Sequence, residues 1–507
     1  MNNKINIEKI AVLGLDGLSW DFLQTLIDYG VFTEVKYILT KSFKSILHAY
    51  PPSSFPSWSS ILTGVNPGKH GIFSFDYLDK QTLTQRLYTT LDLEHPRIHE
   101  MLAMNKVPCI MLNPIPAYPM IPIRNVKMIS HMFFTPKTTY YPESMKKYAS
   151  MLGEPPKPLI EGKIALLDML YNLVERYSSV IDELMDKEWK VFWVNLNIPD
   201  RIHHKLPKVL LKKKINVKVA KIFATINKIV KKLRKASDVL IILSDHGFSV
   251  YRTLISINDF LTKKGYAKVA VRTENALKEH KEIILKEKGM QRKIKYIKVN
   301  PALRLIFKPF KPLIKKAYKL LTGAELRSLR LLINPKDSIA FLQSHSSFGI
   351  YVKERALISR VKEELLTLNG LKWVKERESV FHGPYISRAP NLLLYPDFER
   401  GFTIADNKVY GQVLLKTKSV GHSPFGVFIL YCSSDILGKK AYAETAFMEN
   451  YYVTPIIMYL SNTPLSHMVD NVSILEKLFE VRRLKYRNYV ALWNIVKRLS
   501  RVKKSIK

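Results

Sequence analysis

Cysteine is nearly missing from this chain. Cys109 and Cys432 are the only two among 507 residues, and both lie inside apolar runs. That excludes a disulfide framework and leaves two buried free thiols as the expectation. Long apolar stretches are also lacking: 107–123, uncharged throughout, is interrupted by five prolines and cannot form a spanning helix. An apolar strand pattern already begins by Ile10, leaving no room for a charged leader, an apolar stretch and a cleavage site. The expected location is therefore the cytoplasm.

Acidic residues are the third shortage, with 43 Asp and Glu against 80 Lys and Arg and a net charge of +37. The excess is concentrated. Residues 205–235 hold twelve Lys/Arg and no acid, 291–330 hold twelve and one acid, and 482–507 hold ten and none, so these three segments carry +33. Such segments suit an anionic partner: a membrane surface, which would place the protein peripherally on the inner face, or less readily nucleic acid. In the second segment cations alternate with Phe307, Phe310, Leu313, Ile314, Tyr318 and Leu320. In the third they accompany Tyr489, Leu492, Trp493, Ile495 and Val496, and both read as amphipathic surfaces for an anionic bilayer.

What remains is ordinary for a globular chain, 47% hydrophobic and 24% charged, which excludes global disorder. Short, near-continuous apolar runs at Ile10–Leu15, Cys109–Leu112, Val191–Leu196, Val239–Leu243, Asn391–Tyr395 and Val427–Tyr431 read as strands covered on both faces. Helical patterns at Ile164–Lys187, Val217–Lys235 and Glu354–Thr367 separate them. The expected fold is α/β, a doubly wound and mostly parallel sheet with helices on both faces. The expected organisation is a catalytic domain of 1–262 and 333–470, a basic helical insertion or cap at 263–332, and a basic helical tail at 471–507.

Candidate chemistry sits at the ends of these strands, where open α/β sheets bind ligands. Asp16 in GLDG follows the first strand directly. The run PPSSFPSWSSILTGVNPGKHG, 51–71, feeds a serine-rich loop into a helix start, where a hydroxyl can act as nucleophile facing backbone N–H donors. A lone serine there is more often a plain N-cap. In NIPDRIHHKL, Asp200 and His204 are four residues apart and share one helical face, a workable metal spacing, while His203 points elsewhere. Asp245 and His246 terminate the apolar strand of VLIILSDHGFS, and His422 in SVGHSPFG precedes another.

Taken in order, GLDG, the serine loop ending in TGVNPGKHG, DRIHH, SDHG and the late GH before an apolar strand resemble the alkaline phosphatase superfamily. They are most similar to its prokaryotic type I phosphodiesterase/nucleotide pyrophosphatase branch. LNPIPAYP from Leu112, TTYYPES from Thr138 and APNLLLYP from Ala389 add to the likeness, which covers roughly 8–260 and 333–435. The resemblance implies two metal sites, one of Asp200, His204 and His422, the other of Asp16, Asp245 and His246 with the hydroxyl of Ser54. It puts Ser54 at the nucleophile position and Ser57 where eukaryotic members hold a phosphate oxygen with asparagine. The mixed carboxylate and imidazole donors suit Zn²⁺ or Mn²⁺, and the resemblance favours zinc.

The implied activity is metal-dependent hydrolysis of a phosphodiester or pyrophosphate bond in a small-molecule or lipid-linked substrate, through a phosphoserine intermediate. Serine rather than the threonine common in this branch keeps phosphomonoesterase open as an alternative. A membrane-associated binding protein with a non-catalytic phosphatase fold is a further one.

Overall fold

The computed structural model describes residues 7–78, 85–132, 135–156, 162–275, 296–298, 326–434, 437, 446–481 and 483–505. Its centre is a nine-stranded sheet. The strands are β1 (Ile10–Leu15), β2 (Ser42–His48), β3 (Cys109–Leu112), β4 (Val126–Ser130), β5 (Thr139–Tyr141), β6 (Val191–Leu196) and β7 (Val239–Leu243). Two later strands outside this run, β8 (Gly247–Ile255) and β9 (Leu414–Ser423), pair in a small side sheet. Then β10 (Phe425–Cys432) and β11 (Ala446–Glu449) return to the centre. The spatial order is β11-β2-β10-β7-β1-β6-β3-β4-β5, parallel from β7 through β4, with β10 and β5 antiparallel to their neighbours.

The apolar runs follow from this position. In β1, Ala11, Leu13 and Leu15 enter one core while Ile10 and Val12 enter the other, so both faces of the pleat are buried. One core packs against α2 (Lys163–Met185) and α4 (Val217–Ala236); the other packs against α1 (Ser54–Thr63). Helix α3 (Ile198–Lys205) follows β6 after one residue. Helices α2 and α4 run parallel at a constant offset of fifty residues. Lys218 meets Asp168, Thr225 Oγ1 donates to Glu175 at 2.6 Å, and Lys232 meets Asp182 at 2.5 Å.

Three expectations need correcting. Asn391–Tyr395 is a strand, at Leu392–Pro396, but it belongs to a separate four-stranded sheet, paired antiparallel with Leu371–Glu376 and Gly349–Val352. A buried apolar run looks alike in either sheet, so the run could not name its partners. The basic insertion was expected to be helical; its described residues include three strands, Val269–Asn275, Tyr296–Lys298 and Leu326–Ile333, which form a three-stranded antiparallel sheet. Its residues 299–325, with the aromatic and aliphatic positions from Phe307 to Leu320, lie outside the described residues.

The third correction concerns the tail. Helix α5 (Tyr489–Ser505) buries Tyr489 and Trp493 completely. Lys497, four residues further on the same face, places Nζ 3.0 Å from the Leu93 carbonyl and 2.6 Å from Glu94 Oε2. Two of the five apolar residues read as a membrane face, Tyr489 and Trp493, are therefore turned into the protein instead, because the i, i+4 stripe points inward. Among the described residues no helix is long and apolar enough to cross a membrane.

Two glycines let the strand ends meet. Gly17 has φ 73°, a left-handed conformation that suits glycine, and its N–H donates to Asp245 Oδ1 at 3.1 Å. A Cβ on Gly247 would stand 2.1 Å from the Phe425 carbonyl oxygen, so β8 can approach the start of β10 only without a side chain. Gly247→Ala should lower stability by about 2 kcal/mol or more, because the obstacle is backbone. Urea denaturation measures this; an unchanged midpoint would show that the strands separate freely.

Candidate metal centre and active site

The parallel order of β7, β1 and β6 carries three carboxylates to one edge. The register aligns Leu15 with Leu196, Asp16 N–H donates to the Leu196 carbonyl at 3.0 Å, and Asp200 N–H donates to the Asp16 carbonyl at 2.9 Å. Asp16 follows β1, Asp200 lies in the first turn of α3, and Asp245 follows β7 after one residue. His422 arrives from β9, whose register pairs it with Phe248.

Asp16, Asp245 and His246 form one cluster. His246 Nε2 lies 3.4 Å from Asp245 Oδ2 and 3.7 Å from Asp16 Oδ1. Ser54, the first residue of α1, sets its hydroxyl 3.2 Å from His246 Nε2 and 3.4 Å from Asp16 Oδ1. Its place at a helix N-terminus puts it in a positive backbone field. Trp58, one turn on, donates to Asp16 Oδ2 at 3.4 Å and fixes that carboxylate from inside.

The second cluster surrounds Asp200. Its Oδ1 lies 3.3 Å from His204 Nε2 and 3.2 Å from His422 Nε2, and the two imidazole nitrogens are 3.0 Å apart. The His246 ring stacks on His422 with centroids 3.9 Å apart, so His246 can also be grouped with Asp200 and His422. His203 turns inward against Phe22 and Phe248, as its spacing predicts.

Each cluster carries the signature of a cation site. Asp200 Oδ1 and Asp245 Oδ2 are buried, and neither accepts a well-formed hydrogen bond. Burial, with the neighbouring carboxylates adding, holds Asp16 well above the usual carboxyl range. Burial pushes Asp245 up to about 7, with Asp200 adding to it. Burial also acts on Asp200, but the His204 and His422 imidazoles beside it outweigh it and hold that carboxyl well below its ordinary value. Burial lowers His246 and His422 to about 4, leaving both imidazoles neutral and able to bind a cation near pH 7.

A cavity of about 1030 Å³ opens onto Ser54, Asp200, His204 and His422. Ser57 is buried and donates to the Pro51 carbonyl at 3.2 Å, and like Asp16, Asp245 and His246 it lies behind the residues that line the cavity. The lining includes groups that local sequence reasoning missed, among them Arg201, Asp76 and the Ser344–His345–Ser346 turn. Arg201 lay within DRIHH and could have been flagged as the cation beside a ligand; the serine turn has no motif around it.

The sequence profile of the type I phosphodiesterase/nucleotide pyrophosphatase family matches residues 10–408. No curated protein sequence matches the chain. Among solved structures, a phosphonoacetate hydrolase from Sinorhizobium meliloti superposes with TM-score 0.56 at 13% identity, covering 90% of this chain and 96% of that one. Human ectonucleotide pyrophosphatase/phosphodiesterase 5 gives 0.51 at 15% identity over 93% and 100%. A mutant of alkaline phosphatase PafA gives 0.53 at 13% over 93% and 99%. These likenesses show a shared alkaline phosphatase-type fold.

The carboxyl shifts have a sign that can be tested. A metal ion must displace the proton Asp245 holds below about pH 7, so divalent-ion affinity should rise between pH 5 and 8 with proton release on binding. Titration calorimetry in two buffers of different ionisation enthalpy reads the protons directly, and buffer-independent heats would contradict the shift. In metal-free protein the raised value contributes stability that is full below the unfolded value of ~4 and lost as pH rises through about 7. Added divalent ion should restore that stability.

Proposed function

Because the chain belongs to the type I phosphodiesterase/nucleotide pyrophosphatase family, whose members are metal-dependent phosphoric ester hydrolases, we propose that Ser54 is the nucleophile that cleaves a phosphodiester or pyrophosphate bond. The observation that carries this reading is the position of Ser54 Oγ at the cavity wall, within 3.4 Å of Asp16 and 3.2 Å of His246. Asp16, Asp245 and His246, with Ser54, would hold one divalent ion; Asp200, His204 and His422 would hold the other. Donor types favour Zn²⁺, with Mn²⁺ second. When bound, the two ions supply Lewis acidity at Ser54 and at the leaving oxygen and offset the charge on the phosphoryl group.

In the first step Ser54 Oγ forms a bond to phosphorus while the bond to the leaving oxygen breaks and that oxygen keeps the electron pair. Water then attacks the phosphoserine, regenerating the serine hydroxyl and releasing the phosphorylated product. Asp16 and His246 orient Oγ, the N-terminus of α1 favours the charge developing there, and Arg201 adds a cation to the cavity wall.

Serine at this position supports a second reading, phosphomonoesterase, on the same machinery. Ser54→Ala should lower turnover of bis(4-nitrophenyl) phosphate by about 10²-fold or more, with divalent-ion binding retained by the unchanged side chains. Turnover of 4-nitrophenyl phosphate alone would select the second reading. Diester turnover that survives the substitution would remove Ser54 from the nucleophile role.

A further inference from the structure

One lip of the cavity brings exposed lysines and exposed aliphatic side chains together in the chain. Lys205, directly after His204, lines the cavity together with Leu166 in the first turn of α2. The parallel offset of α2 and α4 brings their N-terminal ends together beside it. There Ile164 is 68% exposed and Val217 is 71% exposed, among the most exposed large aliphatic side chains described. Lys163, next to Ile164, and Lys205, Lys208, Lys212 and Lys214, in the segment leading to Val217, are all exposed.

Among the described residues the lip carries an excess of positive charge. Two acids close by are already met, Asp168 by Lys218 and Asp21 by Lys213 at 3.9 Å. These five lysines form no ion pair among the described residues, and the sequence 205–218 contains neither an acid nor an arginine. Exposed lysines together with exposed aliphatic residues match an anionic bilayer: the cations meet headgroups and the aliphatic tips enter the acyl boundary. Stacking aromatic side chains and arginine forks, which nucleic acid would use, are missing from 205–218.

We propose that this lip docks the cavity mouth onto an anionic membrane surface and admits a lipid-linked phosphodiester or pyrophosphate from the interface. The docking stands on the surface alone; the choice of substrate class rests on the phosphohydrolase reading above. The lip's residues lie outside the sequence of the insertion and of the tail, so its contribution can be removed while theirs remain.

The test uses the full chain and vesicles of phosphatidylcholine with or without 30% phosphatidylserine. Sedimentation should show binding to the anionic vesicles that weakens on raising NaCl from 0.1 to 0.5 M. The triple variant Lys208→Glu, Lys212→Glu, Lys214→Glu should lower the partition coefficient at least about tenfold. Ile164→Ser with Val217→Ser should lower it severalfold at unchanged charge. Both variants should hydrolyse a soluble diester at the parental rate, which also reports that they fold. Full vesicle binding by the triple variant would overturn the proposal by placing the lipid contact elsewhere. Loss of binding in the triple variant but none in the aliphatic pair, with an oligonucleotide displacing the vesicles, would overturn it in favour of nucleic acid. Protein that sediments normally but turns over no phosphoester would leave docking in place and sink the hydrolase reading instead.

Discussion

Burial of Asp16, Asp200 and Asp245 side by side, with their mutual repulsion added to it, is the constraint on which the rest of the molecule depends. Adjacent strands of a sheet are about 4.8 Å apart, so loops leaving the ends of neighbouring strands cannot keep their charges far from one another. The backbone bonds from Asp16 to Leu196 and from Asp200 to Asp16 make that closeness a property of the sheet. Without a cation the three carboxyls settle it unequally. Asp16 and Asp245 are pushed toward the protonated form, while Asp200 remains ionised against two imidazoles. Positive charge held between them relieves all three at once, which is why neutral histidines and a helix N-terminus surround the same point.

Much of the architecture was legible because it depends on burial. β1, β3, β6 and β7 have the limits their apolar runs predict, since strands covered on both faces cannot carry polar residues without leaving them unpaired. β2 was missed for the opposite reason: Lys44 is exposed within it, and its pattern is broken. The ligand types were readable at strand ends, but their grouping was not. Whether His246 serves one cluster or touches both depends on a stack with His422, 176 residues away, that no local spacing encodes. Ser57 was assigned by position in a motif, and the turn of α1 that buries its hydroxyl could not be read from the letters.

Positive charge likewise divides by geometry rather than by composition. Lys497 belongs to a basic tail in the sequence, yet its ammonium group is an internal fastening that ties α5 to Leu93 and Glu94. Lys232 is consumed along the contact between α2 and α4. Lys218 at the start of α4 is likewise consumed by Asp168, whereas Lys163, Lys205, Lys208, Lys212 and Lys214 form no ion pair among the described residues. A formal charge of +37 therefore overstates what the surface can offer to a partner.

Docking of α5 also bears on the order in which the protein can be finished during synthesis. Tyr489 seals a core whose other walls, including Ile98, Leu102 and Ile456, belong to much earlier parts of the chain, and Trp493 is buried one turn further on. While a ribosome is still making that last helix, those walls present an open greasy surface beneath a sheet that is already complete in sequence. The nascent chain must then rely on chaperones or on speed to avoid sticking to its neighbours, and a premature stop before residue 489 would leave that exposure permanent.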